Sequence, residues 1–250
     1  MESGRIEENS TAAIEMSPYL RFINIFYSPK EVFASLATSR WAWIAPIILV
    51  FLIGLASYPF IKTIMADERV RSMETSPLFE RIPEAQKEEI FESTRESIEN
   101  PPLYQWAIGV LMAFIPVFVA GGIMLLIGNL ILGGETKLWK MLNVYAFSSL
   151  ISIPESIIKV PLIYSKETLD IRTSLAIILP SDSTASFTYA FLNNIDIFSI
   201  WMISLMVIGM GVYLRKISVK KIAVWISIFW LIWVFINSTM EYYLGGGFGL

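Results

Sequence analysis

Apolar residues fall along this chain in five long blocks, at about 41–61, 104–132, 139–164, 195–214 and 222–240, with polar segments between them. A bilayer's hydrocarbon core, about 30 Å thick, takes roughly 20 helical residues to cross. The pattern therefore predicts an all-α integral membrane protein with five transmembrane helices. Trp41 and Trp43 at one edge of the first block, and Tyr58 near the other, have the interfacial placement that aromatic rings favour. Pro116 predicts a kink in the second block. Gly133-Gly134 predicts a tight turn, which makes the second and third spans antiparallel neighbours.

The segments between the blocks differ in kind. Residues 1–17 are polar and read as a disordered cytoplasmic tail. In 18–39, Tyr19, Phe22, Ile23 and Phe26 recur at helical spacing, and Ser28-Pro29-Lys30-Glu31 supplies an N-cap, a proline at N1 and an early acid. These short amphipathic N-terminal helices suit a membrane interface or a groove on the protein's own spans equally well. Segment 62–103 carries ten acids and six bases. Pro83-Glu84 opens a helix there with Ile90, Phe91, Thr94 and Ile98 on its apolar side, and Asn100-Pro101-Pro102 stops it. It reads as a helical extracytoplasmic loop. Within the loop 165–194, the apolar piece Ser174–Leu179 is half a bilayer long at most, the length of a re-entrant or interfacial segment. Residues 241–250 end in glycines and read as a flexible tail, without the strand and helix that would make them a phosphate cradle.

Composition narrows the chemistry. The chain is 55% hydrophobic and 16% charged, against roughly a quarter charged in soluble domains. It contains no cysteine and no histidine. That removes disulfides, thiol nucleophiles, imidazole bases and His/Cys metal ligands together. The expectation is no catalysis, no cofactor, no metal and no nucleic acid, with the lipid bilayer and other membrane proteins as partners. Of the 19 Lys and Arg residues, Arg5, Arg21, Lys30, Arg40, Lys137, Lys140, Arg215, Lys216, Lys220 and Lys221 fall on one side of the five-span pattern and eight, more thinly spread, on the other. Dense Lys/Arg marks the cytoplasmic face. The N-terminus is then cytoplasmic and the C-terminus outside, with Arg215, Lys216, Lys220 and Lys221 as a cytoplasmic basic anchor.

Few polar groups lie inside the spans, and such groups are paired or functional. Glu155 and Lys159 stand four residues apart on one helical face, and Asp196 opens the fourth block at the same membrane depth. Together they form either an ion or substrate relay or a neutralised structural pair beside a helix cap. Asn129 and Asn143 flank the Gly133-Gly134 turn and predict a cross-helix hydrogen bond, worth about 0.6 kcal/mol in membranes. Ser148, Ser152 and Ser156 recur every four residues as a small-residue ridge for helix contact.

Several of these elements resemble one family. Ser28-Pro-Lys-Glu-Val-Phe33, Gly133-Gly134 with Leu138-Trp139, Pro154, and above all Asn194-Ile-Asp-Ile-Phe-Ser-Ile-Trp201 leading to Gly209 are similar to the prokaryotic branch of the Yip family, the Ypt/Rab-interacting membrane proteins. The resemblance covers roughly residues 20–240. It implies five spans and a cytoplasmic N-terminus. Eukaryotic members are associated with Rab GTPases through a long cytosolic N-terminal region, and the short region here gives no ground for carrying GTPase binding over. Some prokaryotic members accompany ABC-type export systems. The resulting expectation is an accessory or scaffold protein that binds partner membrane proteins, among them ABC transporter subunits. The alternative is a small transporter or channel using Glu155, Lys159 and Asp196.

Overall fold

The structure is a computed structural model, and it describes residues 16–76, 79–171, 173–180 and 186–244. The polar tail up to Glu15 and the terminal glycines lie outside those residues. Among the described residues the chain is helical, with a lone antiparallel bridge between Ser174 and Asp196. Four stretches are long and apolar enough to cross a membrane: Ile44–Glu74, Leu103–Ile131, Leu138–Lys166 and Val219–Tyr243. A fifth apolar helix, Ile197–Tyr213, has 17 residues and so measures about 25 Å at 1.5 Å per residue.

Two short helices come first, α1 (Pro18–Asn24) and α2 (Pro29–Ser35), each opened by a proline in its first turn. Their stripe does not lie flat on a surface. Ile25, Val32, Phe33 and Leu36 are fully buried, and Phe22 and Phe26 pack against Phe147 and Trp201 at ring separations of 5.8 and 6.0 Å. Helix α2 and the turn before it therefore form a wedge in the bundle core, while Tyr19 and Ile23 of α1 stay exposed at its edge. Polar bonds hold it there: the Tyr213 hydroxyl donates to the Phe33 carbonyl at 2.7 Å, and Asn143 Nδ2 donates to the Ser39 carbonyl at 2.7 Å.

Helix α3 (Ile44–Glu74) is 31 residues long, about 46 Å, and outruns a bilayer core by roughly ten residues. Apolar content stops near Ile61, where the first span was expected to end, but the helix continues because α4 (Glu84–Glu99) packs back along it. The Tyr58 hydroxyl donates to the Ile98 carbonyl, Lys62 Nζ donates to the Glu99 carbonyl at 2.7 Å, and Arg95 pairs with Asp67 at 2.7 Å. Together they form a charged helical hairpin at what we term the acidic end of the bundle.

The second span is two helices, α5 (Leu103–Met112) and α6 (Ile115–Leu126), broken at Ala113-Phe114 just before Pro116. Trp43 packs edge-on against Phe114 and Phe118 at that break. A wide turn at Ile127–Ile131, in which Leu132 N–H reaches the Ile127 carbonyl, leads to Gly133 at φ +66°, where a side chain would be strained. The third span is α7 (Leu138–Ser148), a tight 3₁₀ turn over Ser149–Ile151, and α8 (Ser152–Lys166). Helix α9 (Phe187–Asn193) lies in the segment expected to be loop. Beside it, Leu175–Ile178 is one 3₁₀ turn with Ile177 and Ile178 63% and 74% exposed. Helices α10 (Ile197–Tyr213) and α11 (Val219–Leu244) finish the bundle, α11 running past Met240 into the segment read as tail. The core lies where α2, α6, α7, α10 and α11 meet. Two close approaches mark it: a Cβ on Gly121 would lie 2.6 Å from Leu142, and one on Gly209 would lie 2.7 Å from Val144 and 3.0 Å from Phe33.

Candidate polar site at the acidic end

Three chain segments converge where α8, α10 and α11 approach the acidic end. On α8 the i,i+4 spacing puts Glu155 and Lys159 on one face. On α10, Asp196 is the N-cap: its Oδ1 accepts from Ser199 N–H at 2.7 Å while Ser199 Oγ accepts from Asp196 N–H at 3.0 Å, a reciprocal capping box. With Oδ1 occupied, Oδ2 is left to face α8. Lys159 Nζ lies 2.5 Å from Glu155 Oε1 and 2.7 Å from Asp196 Oδ2, and 5.5 Å from the centre of the Phe198 ring. The structure thus brings the three sequence-selected ionisable groups into one cluster with a formal charge of −1. The side chains are 24% (Lys159), 28% (Glu155) and 10% (Asp196) exposed, so these charges act in a medium far less screening than water.

A hydrogen-bonded network extends the cluster. Asn237 Nδ2 donates to Asn194 Oδ1 at 2.9 Å, and Asn194 Nδ2 donates to the Ala190 carbonyl at 2.8 Å and approaches Ser238 Oγ and Glu241 Oε2, each at 3.4 Å. Ser174 Oγ donates to Asn193 Oδ1 at 2.9 Å, and Leu175 N–H donates to the Ile195 carbonyl at 2.9 Å, which ties the preceding loop to the start of α10. The Tyr189 hydroxyl donates to Asp170 Oδ1 at 2.5 Å beside them. Asn194, Asn237, Ser238 and Glu241 were not among the residues selected from the sequence. A signal was present: Asn237, Ser238 and Glu241 fall at i, i+1 and i+4 along one edge of α11.

The remaining sequence-selected residues lie elsewhere. The hydrogen bond expected between Asn129 and Asn143 is not made. The wide turn at Ile127–Ile131 swings Asn129 onto the loop, where its Nδ2 donates to the Thr136 carbonyl at 3.0 Å and its Oδ1 accepts from Thr136 N–H at 2.8 Å. Asn143, fully buried, is turned instead to the Ser39 carbonyl. The serine ridge is interrupted as well. Ser148 is fully buried within this chain's core, the 3₁₀ turn separates it from Ser152, and Ser152 Oγ donates to the Ser149 carbonyl at 2.8 Å. Ser156 is half-buried on α8. Arg215, Lys216, Lys220 and Lys221 are exposed at the α10–α11 hinge, at the opposite, basic end.

Chemically, the cluster is an ammonium held by two carboxylates, one of which also caps a helix. It ties α8 to α10 through charge-assisted bonds, the strong class of hydrogen bond. Among the described residues no three side chains of metal-ligating type come together. No curated protein and no solved structure matches the chain significantly. The sequence model of the Yip1 domain matches residues 23–239, from the last turn of α1 through α2 and into α11, and takes in Glu155, Lys159 and Asp196. The chain is an integral membrane protein of the Yip1 domain family.

Proposed function

We propose that this protein is a non-enzymatic accessory or scaffold of a membrane assembly, with five spans, the basic end in the cytoplasm and the acidic end outside. The fifth span is α10, whose 17 residues cross most of a bilayer core while α9 and the loop before it cover its outer end. The orientation rests on the density of Lys and Arg about the Gly133-Gly134 turn and the α10–α11 hinge.

The observation that carries the scaffold reading is the state of Lys159. Both carboxylates that face it are within 2.7 Å, so its charge is spent on joining two helices of the chain. A relay needs a group whose bonds exchange with a passing ion. The surface offered to a partner is the outer hairpin, where Glu88, Glu89 and Glu92 are exposed on α4. Membrane subunits of an ABC-type export system are the partner class to test first, by analogy with prokaryotic relatives.

The test is purification in mild detergent from native membranes, with the stoichiometry of whatever co-purifies. A membrane protein retained at fixed ratio, and lost when Glu88, Glu89 and Glu92 are replaced by Lys in a chain that still folds, is the expected result. A clean, partner-free protein that carries ions across liposomes, with flux abolished by Glu155→Gln, overturns it in favour of the transporter reading.

A further inference from the structure

At the basic end, α10 hands over to α11 through a five-residue hinge in which Ile217 N–H bonds to the Leu214 carbonyl and the Ser218 carbonyl accepts from the third and fourth α11 amides, Lys221 and Ile222. Behind this hinge lies a cleft of about 420 Å³, within the roughly 300–1,000 Å³ of ligand-sized sites and far larger than a bare anion needs. Its walls are of two kinds. Ile131, Leu132, Ile217 and Trp225 are apolar, and Lys216, Lys221 and Ser218 stand over one side.

The electrostatics of this corner are uncompensated. Four bases, Arg215, Lys216, Lys220 and Lys221, occur within seven residues, and among the described residues none of them is in an ion pair. Glu135, in the neighbouring turn, makes no bridge to them either. Clustered like charges repel one another, and two of these stand in the first turn of α11, where a helix favours acids. Such an arrangement is stable when an anion is shared between the bases. The apolar wall beside them offers an acyl chain the contacts that a hydrated anion would not use. Trp225, one turn and a half into α11, supplies the kind of ring that headgroup-level sites favour.

We propose that this cleft is a binding site for one anionic phospholipid, its phosphate held by Lys216 and Lys221 with Ser218, and its upper acyl chain against Ile131, Leu132 and Trp225. A diffuse polybasic surface attracts anionic lipid through charge count alone. A built site differs because the bases lining the cleft matter more than those outside it.

That difference is measurable with the full-length protein in detergent, titrated with phosphatidylglycerol or phosphatidylcholine, bound lipid being counted by native mass spectrometry. Wild type is expected to retain one phosphatidylglycerol in preference to phosphatidylcholine. Lys216→Gln with Lys221→Gln lowers that preference on the order of 10-fold. Arg215→Gln with Lys220→Gln removes the same charge from outside the cleft and leaves most of the preference intact. Millimolar inorganic phosphate does not displace the lipid. Equal losses in the two double variants, equal retention of the two lipids, or displacement by phosphate each overturns the proposal, the last by identifying the site as one for a soluble anion.

Discussion

Replacing Lys159 by Met keeps an unbranched apolar stem of nearly the same length and removes the ammonium with its charge and donors. The two oxygens it holds are 2.5 and 2.7 Å from the same nitrogen. They therefore lie within about 5 Å of each other, and two unit charges at that separation repel by about 3 kcal/mol at an effective dielectric of 20. The variant loses the attraction to both carboxylates and gains that repulsion. Breaking a buried pair costs roughly 3–5 kcal/mol, and partial exposure of Glu155 and Lys159 places this site at the lower end. The expected result for Lys159→Met is a loss of about 3 kcal/mol in reversible unfolding of the purified protein, followed by tryptophan fluorescence. Adding Glu155→Gln to Lys159→Met removes the repulsion and should recover most of that loss, since Asp196 keeps its bond to Ser199 N–H. The recovery is the diagnostic part, because a relay residue has no reason to be rescued by deleting a second charge. Unchanged stability in Lys159→Met, or no recovery in the double variant, refutes the account of the cluster as a helix tie.

Two further predictions test the packing and the topology. Gly209→Ala places a methyl about 0.7 Å inside ordinary contact with Val144, a side chain held in one rotamer, and should cost about 1–3 kcal/mol; Val144→Ala in the same chain should relieve it. Gly122→Ala meets no atom within 4 Å and should be neutral or stabilising by up to about 1 kcal/mol, so a similar loss at both glycines would show that contact distance is not the cause. Because the chain contains no cysteine, single substitutions report sidedness cleanly: an impermeant maleimide should label Glu89→Cys in intact cells and Lys220→Cys only after permeabilisation, and the reverse pattern would invert the proposed orientation.

Four membrane-length helices were legible because a bilayer imposes a length on every apolar run, and that constraint is local. The Gly133-Gly134 turn was legible for the same reason, positive φ being written in the residue type. Other features depend on what packs against a segment. Hydropathy ends at Ile61, yet α3 continues to Glu74 because α4 supplies bonds to Tyr58, Lys62 and Asp67. The amphipathic stripe of α1 and α2 reads identically for a lipid surface and for a protein groove, and only the partners Phe147, Trp201 and Tyr213 decide. Within the polar site, the i,i+4 pair was visible as spacing. The bond from Asn237 to Asn194, 43 residues apart, leaves no trace in one sequence. Asn143 was singled out correctly as a polar group needing a partner, but that partner is a backbone carbonyl 104 residues away.

The α1–α2 wedge carries a consequence for how the protein is made. Phe33 leaves the ribosome 180 residues ahead of Tyr213, whose hydroxyl holds its carbonyl. Contacts of such separation form only after the intervening chain has been placed. The wedge is therefore made before its groove exists, and its docking against α7 and α10 waits for α10 to be made.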